Sequence, residues 1–264
     1  MRGAEGVLTL VLLSWSIGSI AGAAWTQSWK VVTRGHFRIT GWSALLLGVM
    51  GAVASMAATI GVPQAGAVRV LTVTFVAAAA ISLVVQYSQN DDTAALVGYV
   101  AGGIGLLALI ATGALLDQWS LVFAAPGLAA GAALWGATTN GMLLGHWYLN
   151  QPGLKPWALS RLTTFGLIAA AASALFGIVA AGRLVGAPTE GAAFGLPGFG
   201  DNLAPAFFGI WLALVAFTAA VIYAARRCVK IRSIQSATGL YYVAILTVGV
   251  SEFLVRYLMV NASA

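Results

Sequence analysis

Glu252, Arg256, His146 and Asn140 are the residues whose types and settings could do chemistry, because each falls within or beside a long apolar run where polar groups are costly. Glu252 lies 16 residues beyond Ser236, roughly 24 Å along the last apolar run at about 1.5 Å per residue. Arg256 stands four positions further on the same helix face, where it would neutralise the carboxylate or reach toward the outer surface. Such a carboxylate is either half of a structural pair or a proton-, ion- or quinone-linked group. His146, in Gly145-His146-Trp147-Tyr148, could hydrogen-bond a quinone carbonyl, ligate haem or shuttle a proton, or it could simply cap an interface. Asn140 is an expected interhelical hydrogen-bonding group. The cluster Arg226, Arg227, Lys230 and Arg232 could contact anionic lipid or a partner, or act only as a topology determinant.

Other chemistry is excluded by what the chain lacks. Two histidines, with His36 expected in a basic loop, cannot provide two bis-His haem sites, so a dihaem cytochrome b is ruled out. His146 and Met142 are four apart on one helix and would not flank a haem iron. The single Cys228 excludes a Cys-ligated iron–sulfur cluster, a Cys-ligated zinc site and a disulfide framework. Seven acidic residues, well scattered, offer no divalent-metal site. There is no Walker loop, His-Glu-x-x-His, Gly-x-Ser-x-Gly or dinucleotide fingerprint, so no catalytic residue is assigned and intrinsic enzyme activity is not expected. No soluble basic domain exists to grip nucleic acid.

The elements that must position these groups follow from composition. Of 264 residues, 60% are hydrophobic and 8% charged, with a mean hydropathy of +0.93, too apolar for a water-soluble core. Runs of about 20 apolar residues cross roughly 30 Å of hydrocarbon. Eight are present, at about 7–25, 41–61, 67–87, 93–116, 120–149, 158–181, 204–225 and 236–260. They are continuously apolar rather than alternating, which predicts an all-α polytopic transmembrane bundle. Nine of the 13 Lys and Arg fall on one face. The positive-inside rule then predicts a plasma-membrane protein with basic loops in the cytoplasm and both termini outside. Arg2 and the run Ala21-Gly22-Ala23-Ala24 also fit a cleavable leader, whose removal would invert the later spans. The first run exceeds a leader's core length, which favours a retained helix.

Two four-helix halves, 1–119 and 120–264, correspond weakly. Trp25 to Thr40 resembles Trp147 to Thr163 at offsets of 122 and 123, and 94–101 resembles 237–244 at an offset of 143. An outer loop of about 183–203, carrying Glu190 and Asp201, accounts for the difference and could form a lid or dock a partner. An even number of spans per half makes the repeats parallel, and a ligand is expected at the seam between them. Close packing is expected at Gly18-xxx-Gly22, Gly98-xxx-Gly102, Gly127-xxx-Gly131 and Gly141-xxx-Gly145. In plan alone, the chain resembles the quinol-handling membrane anchors of molybdoenzyme complexes. That resemblance implies a membrane-anchor subunit with other membrane or peripheral subunits as partners and quinone as a cofactor. A small secondary transporter or a structural, lipid-interacting protein is the alternative.

Overall fold

The computed structural model describes residues 1, 3–88, 90–151, 153–188 and 203–262; Arg2 and the loop residues Glu190, Asp201 and Asn202 lie outside the described residues. Among the described residues eight helices are long and apolar enough to span a membrane: α1 (Gly3–Gln27), α2 (Arg34–Ala58), α3 (Gly66–Val85), α4 (Asp91–Gly113), α5 (Leu121–Asn150), α6 (Trp157–Val179), α8 (Ala204–Lys230) and α9 (Ile234–Asn261). A 3₁₀ turn at Pro63–Ala65 leads into α3, and a short α7 (Ala181–Val185) follows α6. No strand occurs among the described residues, so the protein is an all-α membrane bundle.

One expected boundary is corrected. The second helix begins at Arg34 rather than near 41, which removes His36 from a loop and places it, fully buried, in the first turns of α2. Thr33 is extended (φ −75°, ψ 160°) and starts the helix. Arg34 is held there by Asp91 at 2.9 Å, and the His36 ring packs against Phe37 and Trp147. A basic residue therefore does not end a helix at this face. α8 similarly runs on to Lys230, with Arg227 and Lys230 in its last turn, where cations favour the helix C-terminus.

Helices α1 to α4 close a ring in chain order, and α5, α6, α8 and α9 close another in the same order. The rings meet through α1 on α5, with α9 touching α1 and α4 touching α5. α1 and α5 are the central helices. Small residues make that possible: Gly127, Gly131, Gly136, Gly141 and Gly145 are all buried along α5. The outer helices keep apolar side chains exposed, among them Val53, Val70, Val84 and Leu246, as lipid-facing surfaces require.

The loops between α1 and α2, α3 and α4, α5 and α6, and α8 and α9 gather at one end. There Gln27 and Gln86 exchange two buried amide hydrogen bonds of 2.9 Å, and Gln151 reaches Thr33. This is the basic end of the molecule. At the opposite end the Met1 ammonium donates to Leu115 O, and the Trp119 indole donates to Met259 O.

Candidate functional site

α1 and α5 cross in register. A Cβ on Gly18 would strike the backbone of Ala132 and Gly136, and one on Gly22 would strike the Asn140 side chain. Gly18 and Gly136, like Gly22 and Asn140, are 118 positions apart, so the helices run parallel about a local two-fold axis that exchanges position n of α1 with n + 118 of α5. Asn140 serves this crossing. Its amide donates to Ser19 O across the interface at 3.1 Å and to Gly136 O on its own helix at 2.9 Å.

The two flanks of the crossing are filled differently. On one, Trp15 reaches over α5, stacks on Trp135 at 4.1 Å between centroids, and donates to the Thr139 hydroxyl at 2.9 Å. Two-fold exchange turns Trp15 into Ala133 and Thr139 into Ala21. Those two alanines line an apolar cavity of about 420 Å³ on the other flank. Gly102 and Gly103 of α4 form its further wall, and Trp25, Tyr99 and Phe165 stand toward the basic end. Tyr99 and Gly103 are exposed, so this chamber is open to the lipid side.

Trp25 and Phe165, 5.1 Å apart and edge to face, also wall a second cavity of about 410 Å³ with Ser160, Arg161 and Thr164. The Arg161 guanidinium lies 4.6 Å from the Trp157 ring centroid and 5.6 Å from that of Trp29, a cation–π cradle that orients it without neutralising it. The two cavities are therefore neighbours across Trp25 and Phe165, and the second is an open vestibule, largely apolar, with the Arg161 cation and the Ser160 and Thr164 side chains on its wall.

Charge is divided unequally at the basic end. Lys30 pairs with Asp92 at 2.8 Å and Arg34 with Asp91 at 2.9 Å. Asp92 accepts a hydrogen bond from the Lys30 ammonium and attracts it, which raises its pKa above the ordinary lysine value. Lys155, Arg161, Arg226, Arg227, Lys230 and Arg232 have no carboxylate partner among the described residues. Arg232 has φ 60°, and the Ser233 N–H bonds to Cys228 O while its own bonds to Val229 O. This is a Schellman helix end with arginine where glycine is usual. The left-handed backbone costs about 1 kcal/mol, and the cation there favours the helix dipole.

Glu252 and Arg256 are sealed inside the second ring, 0% and 1% exposed, with Nη2 2.6 Å from Oε2. Arg256 also donates to Gly127 O at 3.1 Å and to the Met259 sulfur at 3.2 Å. Gly131 is the floor of this site, since a Cβ there would overlap both charged groups. Glu252 Oε1 and Arg256 Nε have no hydrogen-bond partner among the described residues. The arrangement can hold a charge pair in hydrocarbon.

The sequence candidates are not brought together. His146 is exposed on α5 and lines neither cavity. Six residues separate it from Asn140, about 9 Å along the helix and about 240° around it. The space beside Gly145 is taken by Thr238 of α9. Arg226, Arg227, Lys230 and Arg232 lie at the end of α8, away from Glu252 and Arg256 near the opposite end of α9. Sequence reasoning expected a ligand at the seam but missed the chamber's walls, the neighbouring cation Arg161, the Gln27–Gln86 pair and buried His36. The signals the sequence carries for those walls are the Gly102-Gly103 pair and the aromatic residues Trp25, Tyr99 and Phe165. The chain matches no protein-family model, no curated protein and no solved structure.

Proposed function

We propose that this chain is a non-catalytic membrane-anchor subunit of a larger assembly, and that it holds a lipophilic molecule at the seam between two parallel four-helix halves, 1–119 and 120–264. The observation that carries the reading is the seam chamber. Its volume of about 420 Å³ falls in the usual ligand-pocket range of roughly 300–1,000 Å³. It exists because Ala133 stands where Trp15 fills the mate of the same space. Identical ring order and the in-register α1–α5 crossing support the halves. In the quinone-linked form of this reading, Trp25 and Tyr99 are the chamber residues with polar tips available to a carbonyl. His146 is left as a residue facing a partner or headgroups.

Purification from native membranes in mild detergent is expected to recover partner subunits in stoichiometric amounts together with a bound lipophile. Ala133→Trp, which installs the residue that fills the opposite flank, should release the lipophile at least tenfold while retaining the partners. A partner-free, lipophile-free protein that is otherwise folded would overturn the reading. It would favour the transport alternative, for which sealed Glu252 with its unpartnered Oε1 is the specific support.

The orientation proposed is basic end in the cytoplasm, in the plasma membrane, following the charge asymmetry. Cys228 is a free, part-exposed thiol at that end of α8. An impermeant maleimide added to intact cells should leave it unlabelled until the membrane is permeabilised. Labelling of intact cells would invert the orientation.

A further inference from the structure

We propose that the chamber and the Arg161 vestibule form one binding site for an anionic glycerophospholipid, with an acyl chain between α4 and α5 and the phosphate at Arg161. The inference rests on the reading that the chamber holds a lipophile, and it specifies the chemical class. Three observations select that class. The two cavities share Trp25 and Phe165 as walls and so lie side by side, within reach of one amphipathic molecule whose chain occupies the first and whose headgroup lies at Arg161 in the second. Amphipathic aromatic side chains sit comfortably at the level where acyl chain gives way to headgroup.

Arg161 is a cation held by two indole rings, beside Ser160 and Thr164 and with no carboxylate among the described residues. Guanidinium is suited to phosphate because its planar N–H fork matches two oxygens at once. A neutral quinone would leave that fork without a counter-charge. The wider field agrees: Asp92 and Asp91 pair with Lys30 and Arg34 of the first ring, while Lys155, Arg161, Arg227, Lys230 and Arg232 of the second are exposed with no carboxylate partner among the described residues. Anionic headgroups concentrate beside such a surface. The exposed edge at Gly103 and Tyr99 lets a chain enter sideways from the bilayer rather than by threading.

The test uses the full chain purified in neutral detergent and exposed to phosphatidylglycerol, phosphatidylcholine with the same chains, or ubiquinone, with retention read by native mass spectrometry. One phosphatidylglycerol per chain should survive detergent exchange, with at least tenfold less phosphatidylcholine. Arg161→Gln should lower phosphatidylglycerol retention about tenfold, and Arg161→Lys by less. The paired change Arg226→Gln with Arg227→Gln should leave it within twofold. Unchanged phosphatidylglycerol retention in Arg161→Gln, or equal losses in the Arg226/Arg227 variant, would overturn the proposal. Inorganic phosphate at millimolar concentration should not displace the lipid; displacement would mean that the vestibule recognises free phosphate instead.

The two levels of the reading fail differently. If the wild type retains ubiquinone or phosphatidylcholine as well as phosphatidylglycerol, and Ala133→Trp abolishes all of them, the chamber holds a lipophile but the anionic class is wrong. If Ala133→Trp and Gly103→Leu both remain monodisperse and retain every ligand, the chamber itself is not the site. Gly103→Leu also serves if Ala133→Trp fails to fold, since nothing beyond its own stretch of α4 lies within 4 Å of the Gly103 Cβ position.

Discussion

Replacing Arg256 by Met is expected to destabilise the folded protein by about 3–5 kcal/mol, the usual consequence of removing one partner from a buried ion pair. Glu252 is fully buried, and its one hydrogen-bond partner among the described residues is Arg256. Without the guanidinium the carboxylate must stay charged in a dry site or take up a proton at a cost in free energy. Glu252→Gln should cost less, because Arg256 keeps Gly127 O and the Met259 sulfur as acceptors. The double variant Glu252→Gln with Arg256→Met should recover most of the loss, since it removes both charges and leaves the packing volume nearly intact. Thermal unfolding in detergent across the four proteins checks this. Additive losses would mean that the pair is not coupled in the folded state. The same set separates the two functional readings: an anchor with Glu252→Gln should lose stability or assembly in proportion to unfolding, whereas a transporter should lose ion coupling while still folded.

The parts of this molecule legible in the sequence are those governed by the bilayer or by neighbours along one helix. Eight apolar runs could be read because hydrocarbon demands about 20 apolar residues per crossing. The Glu252–Arg256 pair could be anticipated because positions four apart share a helix face. Helix ends at the basic face were misplaced because charge was read as a break, although Arg and Lys can stay helical and extend their heads to water. His36 therefore looked like a loop residue. His146 and Asn140 both looked like candidates from position in the run, but six residues of helical rotation separate buried Asn140 from exposed His146. A ligand position at the seam was legible, but the shape of the chamber was not. It depends on which helices touch, on the absence of a side chain at Gly103, and on alanine at position 133. The Gln27–Gln86 pair was equally hidden, because its partners are 59 positions apart and only the closing of the first ring brings them together.

Substitution of Gly18 by Leu is expected to prevent accumulation of folded protein, and Gly18→Ala alone should cost at least about 1–3 kcal/mol, as overpacking of a tight contact does. The atoms a Gly18 Cβ would meet are the Ala132 carbonyl and the Gly136 amide nitrogen, and those a Gly136 Cβ would meet belong to the Gly18 backbone. Backbone cannot swing aside as a flexible side chain can, so the helices must part. Gly18→Ala and Gly136→Ala should therefore be strongly non-additive: once the first has separated α1 from α5, the second meets little. Gly103→Ala, with open space around its Cβ position, should be nearly neutral and serves as the control. Unfolding midpoints would test the series, and full additivity would argue against a shared crossing. The crossing also sets the spacing of Ala21 and Ala133 on opposing walls of the chamber. Surviving Gly18→Ala protein should accordingly lose its bound lipophile along with stability. The folded fraction of Arg256→Met, whose side chain lines neither cavity, should retain it.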